Sequence, residues 1–240
     1  MIKEAIQRYL TAHNYPCLDL RAALFDMDGV LYDSMPNHAL AWQESMKQFG
    51  LDMTAADAYA TEGARGIDTI RQLVKKQKGK DISLQEAQEM YDVKTHLFHL
   101  MPTAPVFAGV HDVMARMKES GMTIGVVTGS GQRPLIKRLI DDFGDYIDEN
   151  RIVTAYDVDR GKPAPDPYLM GLAKAGGMKP WQAVVVENAP LGVRAGSAAN
   201  IFTVAVNSGP LPDTELSGAG ADIVLKSMTQ LPALWHDIKG

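Results

Sequence analysis

Ala22-Ala23-Leu24-Phe25-Asp26-Met27-Asp28-Gly29-Val30 is an apolar run that stops at two carboxylates one residue apart and then a glycine. Residues 22–25 are too few for a helix, and their uniform apolarity predicts a strand covered on both faces in a parallel sheet. Open α/β sheets meet their ligands at the carboxyl ends of the strands, so Asp26 and Asp28 stand where one substrate can be reached from two directions. Gly29 lets the backbone turn sharply out of the sheet. The stretch alone fits equally well a strand ending in a solvated Asp-x-Asp-Gly turn.

On the N-terminal side, Ile2, Ala5, Ile6, Tyr9 and Leu10 recur at helical spacing, which predicts an amphipathic helical extension within residues 1–20 whose role is packing. On the other side the pattern changes after Asp33-Ser34. Residues 36–49, 54–60, 66–78 and 83–99 read as helices with no strand between them, and Pro102 and Pro105 mark the return. Alternation follows: helix 110–120, strand 123–128, helix 132–143, strand 152–154, helix 167–176, strand 183–186, helix 190–199, strands 202–206 and 223–225, and a helix over 228–237. The expected fold class is therefore α/β: a Rossmann-like parallel sheet core formed by 1–33 and 104–240, with right-handed crossovers and an inserted helical cap over 34–103.

Composition narrows the class of partner. The 240 residues are 46% hydrophobic and 22% charged, enough for a substantial core, and the net charge is −5. With no basic block beyond the helix end at Lys75 to Lys80, neither nucleic acid nor an anionic membrane is the expected partner. One cysteine, Cys17, excludes an internal disulfide and a cysteine-built metal site and fits a reducing compartment. No stretch has the length of a membrane span and no signal-peptide core is present, so the expectation is a cytoplasmic protein and a monomer.

Three further strand ends carry polar residues suited to phosphate chemistry. Thr128-Gly129-Ser130-Gly131 offers two hydroxyls and backbone N–H groups at a helix start, an anion site or an ordinary cap. Gly161-Lys162-Pro163-Ala164-Pro165-Asp166-Pro167 holds a lysine in a segment stiffened by three prolines, although lysines beside prolines are also common in solvated loops. Glu187-Asn188 ends the run Val184-Val185-Val186 with hard oxygen donors of the kind Mg²⁺ prefers, unless Asn188 merely caps the next helix.

Taken together, the four segments resemble the haloacid dehalogenase superfamily of phosphotransferases, across residues 20–235. The helical insert, Gly-Lys-Pro-Ala-Pro-Asp-Pro and Glu-Asn-Ala-Pro-Leu-Gly-Val-Arg-Ala-Gly are similar to its β-phosphoglucomutase-like subfamily with a helical cap. The resemblance implies Asp26 as the nucleophile that takes the phosphoryl group and Asp28 as general acid and base. Thr128 and Lys162 would bind the transferring phosphoryl, with Gly129 and Ser130 beside them. Mg²⁺ would be held by Asp26, the backbone carbonyl of Asp28 and Asn188, with Glu187 orienting a metal-bound water. Repulsion between a carboxylate and a dianionic phosphoryl group demands both the cation and the Lys162 ammonium. Crowding by Asp26 and Glu187 would favour a proton on one member of the cluster, and Asp28 must begin protonated.

Departures from the family pattern point to the substrate. Asn188 stands where a second acid is common, and Glu62, in Thr61-Glu62-Gly63-Ala64-Arg65-Gly66, is the candidate for the missing carboxylate at the metal, or else a solvated loop acid. Gly66 occupies the place of a phosphate-binding arginine of the sugar phosphomutases, with Arg65 one position early. His38 stands where the subfamily carries a histidine, facing Asp28 or the substrate, or lies on the surface of the first cap helix. His96 and His99 decorate the last cap helix. The resulting expectation is a Mg²⁺-dependent phosphohydrolase of pyrophosphate or a small sugar phosphate. The alternatives are a β-phosphoglucomutase moving phosphoryl between C1 and C6 of glucose phosphate and a non-catalytic phosphate-binding protein. A phosphonate hydrolase would need a cap lysine, and the sequence offers no convincing one.

Overall fold

The computed structural model describes residues 2–239; Met1 and Gly240, the ends of the expected core, lie outside them. Six strands form one sheet: β1 (Ala22–Phe25), β2 (Thr123–Val127), β3 (Ile147–Val153), β4 (Ala183–Glu187), β5 (Phe202–Val206) and β6 (Ile223–Leu225). Their order is β3-β2-β1-β4-β5-β6 and every pairing is parallel. The run that decides the fold is thus central, flanked by the strands ending in Thr128 and in Glu187.

Side chains alternate across the sheet and build two cores. Ala23, Phe25, Val126, Val184 and Val204 pack with Tyr9, Val113, Met117, Phe143 and Trp235 on one face. Those residues come from α1 (Ile2–His13), α6 (Val110–Glu119), α7 (Arg133–Phe143) and α11 (Gln230–Lys239). Ala22, Leu24, Val127 and Val185 pack on the other face with Tyr168 and Leu172 of α8 (Asp166–Lys174) and Ala195 of α9 (Pro190–Ala198). On that face α8 comes very close: a Cβ at Gly171 would lie 3.0 Å from Leu24 and 3.1 Å from Val127.

Between β1 and the return at Pro102 stand four helices, α2 (Met35–Gln48), α3 (Ala55–Ala60), α4 (Gly66–Lys78) and α5 (Leu84–His99). They share their own core of Ala39, Trp42, Met46, Leu51, Ala58, Ile70, Val74, Ala87 and Met90. Two begin with reciprocal caps: Thr54 with Asp57 for α3, and Ser83 with Glu86 for α5. The residues at which the expected helices began, 54 and 83, are therefore the caps.

Elsewhere the structure differs from the expectation in physically simple ways. β3 begins at Ile147 rather than 152, because Ile147 pairs with Ile124 while exposed Asp148, Glu149 and Asn150 interrupt the apolar signal and the register shifts before Val126. A further helix, α10 (Asp213–Gly218), is short and buries only Leu216, too little for a periodic pattern. The last helix starts two residues later than its pattern. No helix among the described residues is long and apolar enough to cross a membrane.

The N-terminal extension is tied to the main core. Tyr9 is 3% exposed, its ring meets Phe202 edge-on at 5.3 Å, and its hydroxyl donates to Asn200 O at 2.9 Å. Tyr9→Ala is expected to destabilise the protein by about 3–5 kcal/mol, the cost of deleting a buried aromatic ring. Urea denaturation measures this, and a loss below ~1 kcal/mol would mean that α1 is only an appendage.

Candidate active site

The ladder of the sheet sets the site. Asp26 N donates to Val186 O at 2.9 Å, which carries the β1–β4 pairing one residue past the strand and brings Asp26 beside Glu187. Thr128 N donates to Val153 O, and the Thr128 hydroxyl accepts the N–H of Ser130 at 3.0 Å. After Asp28 the chain turns: Gly29 has φ +78°, and a Cβ there would lie 1.9 Å from Asn188 Nδ2 and 2.8 Å from Glu62 Oε1. Glycine is required here both by its conformation and by this close approach.

Lys162 is the centre of the cluster. Its Nζ donates to Asp26 Oδ1 at 2.5 Å, to Glu187 Oε1 at 2.6 Å and to Val127 O at 3.0 Å, and it is 4% exposed. Burial alone would lower the lysine, but the two carboxylates outweigh it and hold the ammonium well above its usual range. Burial pushes Asp26 up, with Glu187 and Asp28 adding to the rise and the Lys162 charge opposing it.

Glu187 has a different task from the one expected. Its Oε1 accepts from Lys162 and, at 2.8 Å, from the Tyr168 hydroxyl; its Oε2 accepts the N–H groups of Asn188 and Ala189 at 2.9 and 3.1 Å. With both oxygens engaged and no exposed surface, it braces Lys162 and the following loop. Asn188 does not cap α9, whose N-cap is Ala189. Its Nδ2 donates to Glu62 Oε1 at 2.7 Å, and its buried Oδ1 has no partner. An unpaired amide oxygen beside the Asp26 carboxylate and the Asp-x-Asp turn is an all-oxygen donor set, and it fits Mg²⁺.

The helical unit closes over these strand ends. Glu62 is 8% exposed, not a solvated loop acid, and burial first, then Asp26, Glu187 and Asp28, push its carboxyl well up while the Asn188 amide opposes. His38 is also buried: Nε2 lies 3.2 Å from Asp28 Oδ1, its ring stacks on Phe98 at 4.1 Å, and Nδ1 is 2.6 Å from Lys94 Nζ. Burial and the Lys94 charge hold His38 below its usual range, with Asp28 opposing. Asp28 also accepts from Ser34 Oγ at 2.6 Å. Burial would raise Asp28, but His38, Ser34 and Lys94 more than offset it and hold the carboxyl at about 2, so the proton expected on Asp28 is disfavoured here.

Together these groups enclose a cavity of about 70 Å³, room for a few water molecules. Asp26, Asp28, Thr128, Gly129 and Ser130 line it from the strand ends; His38, Trp42, Glu62, Tyr91 and Lys94 line it from the helices. Arg65 is not among them. Its guanidinium turns to Asp68 at 2.8 Å, one turn along α4, and its stem packs against Gly161. The space at Gly66 is filled by the Tyr91 ring, 2.0 Å from where a Cβ would stand.

Lys94 overturns the expectation that the helical unit offers no suitable lysine. It is 2% exposed, and burial lowers it to about 8 against the opposing Asp28 charge. The sequence carried a signal for it: Ala87, Met90, Lys94 and Phe98 form the buried stripe of α5, and a lysine inside such a stripe needs a partner. Tyr168, equally buried, stands within an apolar run and carries no such signal.

Comparison with known proteins agrees with this geometry. A family model for haloacid dehalogenase-like hydrolases matches residues 23–206. Hexitol phosphatase A of Escherichia coli is 32% identical over 212 residues, 87% of this chain and 91% of that protein. Beta-phosphoglucomutase of Bacillus subtilis is 25% identical over 224 residues, 88% and 92% of the two chains. A solved structure from Bacteroides vulgatus, provisionally described as a beta-phosphoglucomutase, superposes with a TM-score of 0.95 at 46% identity, covering 99% of this chain and 96% of its own. With the strand-end acids, the lysine and the helical insert where the motifs require them, the chain belongs to the haloacid dehalogenase-like hydrolases, among relatives of the β-phosphoglucomutase type.

Proposed function

We propose that this protein is a Mg²⁺-dependent phosphohydrolase that works through an aspartyl phosphate on Asp26 and takes a small phosphorylated substrate, inorganic pyrophosphate or a sugar phosphate. The observation that carries the reading is that Asp26, which lines the cavity together with Asp28 and Thr128, is bonded from behind by the buried Lys162 ammonium. The single Cys17, exposed and free, fits a cytoplasmic setting.

In the first half-reaction an Asp26 oxygen bonds to phosphorus as the bond to the leaving oxygen breaks, and that oxygen takes a proton. In the second, water attacks the same phosphorus, gives its proton to Asp28 and releases Asp26. Asp28 is held as a carboxylate, so the proton for the leaving group belongs to the Asp28–His38 pair, whose Oδ1 and Nε2 are 3.2 Å apart. Lys162 offsets charge on Asp26 and on the incoming phosphoryl oxygens. Asp26, the Asp28 carbonyl and Asn188 would hold Mg²⁺, which would supply the further positive charge that this approach needs. Glu62, which accepts from the Asn188 amide, would contribute the carboxylate that Asn188 lacks.

The size of the cavity and the Tyr91 ring in place of an arginine favour a compact substrate. The second reading, a β-phosphoglucomutase, is supported by the similarity to that enzyme and by Lys94, a further ammonium in the cavity able to meet a second phosphate. Phosphate release from pyrophosphate and a panel of hexitol and sugar phosphates, run beside isomerisation of β-glucose 1-phosphate, separates the two.

Asp26→Asn is expected to abolish turnover with the thermal transition retained; near-normal activity of the purified variant would exclude the covalent route. Activity is expected to vanish in excess chelator, return with Mg²⁺ and be suppressed by Ca²⁺, whose larger, looser coordination misplaces the reacting groups. Full activity in chelator counts against the metal. Glu62→Ala is expected to lower kcat/KM by about 10²-fold, the order seen when a metal's supporting shell is lost, and Glu62→Gln to recover little of it. Adding Asn188→Asp should restore Mg²⁺ affinity in part. Superimposable calorimetric Mg²⁺ titrations of wild type and these variants would remove Glu62 from the metal.

A further inference from the structure

The polypeptide leaves the core at Asp33-Ser34 and returns at 102–106, and one side chain touches both the returning segment and Tyr32, the residue just before the outgoing crossing. Arg138 of α7 donates from Nη2 to Ala104 O at 2.6 Å on the returning segment. Its guanidinium lies 4.1 Å from the centre of the Tyr32 ring, and its Nε lies 3.2 Å from Asp142. Asp142 in turn accepts the Tyr32 hydroxyl at 2.9 Å. Arg138, Asp142 and Tyr32 thus form a closed triangle in which each holds the other two.

Tyr32 is the residue that completes the Asp-x-Asp turn. Its N–H donates to Met27 O at 3.2 Å and its carbonyl accepts the Gly29 N–H at 2.8 Å. The two crossings are laced together next to it: Asp33 N donates to Pro105 O and Phe107 N to Leu31 O, both at 2.9 Å. Beneath this junction lies a second cavity of about 180 Å³, bounded by Asp28, Tyr32, Ser34, Phe98, Pro134 and Arg138. Leu31, Tyr32 and Ala104 are anchored in the main core, and on the cavity side, where packing is interrupted, polar contacts add to that anchoring.

We propose that Arg138 is a positioning residue that pins the returning crossing to the turn carrying Asp26 and Asp28, and so sets where the helical unit comes to rest over the strand ends. The ion pair with Asp142, half exposed, contributes little by itself. Its role is to aim the guanidinium, whose fixed fork allows the carbonyl bond and the stacking on Tyr32 to be made together. Without the pin the closed arrangement is one of several, and apparent substrate affinity falls by the fraction of molecules that are closed. The kinetic consequence rests on the hydrolase reading above; the structural one does not.

The test compares wild type with Arg138→Met and Arg138→Lys by amide hydrogen exchange of the protein alone. The four amides named above, Gly29, Tyr32, Asp33 and Phe107, are expected to exchange about 10-fold faster or more in Arg138→Met, with β4 and β5 unchanged and Arg138→Lys intermediate. On whichever phosphate of the panel is turned over, KM should rise several-fold with kcat within about twofold. Unchanged exchange at these amides, acceleration spread evenly over the sheet, or a fall in kcat at constant KM would each overturn the proposal. Because the exchange arm needs no substrate, it stands or falls independently of the Asp26→Asn result.

Discussion

Everything at this site depends on one buried ammonium shared by two buried carboxylates. Lys162 touches Asp26 and Glu187 together, and the cost of taking three charges out of water is met only because each is paired. Removing one partner from such a cluster typically costs ~3–5 kcal/mol, since the remaining charges are left uncompensated. The sheet order in turn makes the cluster possible. Asp26 and Glu187 end neighbouring strands β1 and β4, and the lysine reaches both while bonding Val127 O at the end of β2. The buried Oδ1 of Asn188, next along the chain from Glu187, has no hydrogen-bond partner among the described residues.

The helical unit answers with complementary chemistry. It brings an acid, Glu62, to Asn188, and a base pair, His38 and Lys94, to Asp28. Asp26 and Asp28, two residues apart in the chain, end up in opposite electrostatic surroundings: burial and neighbouring acids raise the first, while basic groups and a hydroxyl lower the second. Two carboxylates of the same type can therefore take different roles. Closure matters as much as composition, because Gly63 O would meet a Cβ at Gly129 at 2.7 Å and little bulk water has room between the two.

Such convergence needs a stable reference frame, and here it is provided by the two-faced sheet and by polar lacing at the crossings. Core packing fixes the strand ends to within the tolerance of a hydrogen bond. At the junction with the helical unit a cavity borders the core, and the bond from Arg138 to Ala104 O spans its edge.

The sequence by itself determined the sheet, the helical insert and the strand-end motifs, because apolar runs, helical periodicity and glycine turns are local signals read within a few residues. Asp26, Thr128, Lys162 and Asn188 were legible for the same reason: each ends or follows an element whose type its neighbours announce. Only the tertiary structure decided what those residues do to one another. Glu187 became a brace because Tyr168 and Lys162, distant in sequence, donate to its Oε1. Arg65 is held by Asp68 and does not line the cavity, and Lys94 entered the site because the face of α5 that carries it packs inward. Hydrogen-bond saturation and burial are properties of the whole packed chain, and no window of sequence contains them.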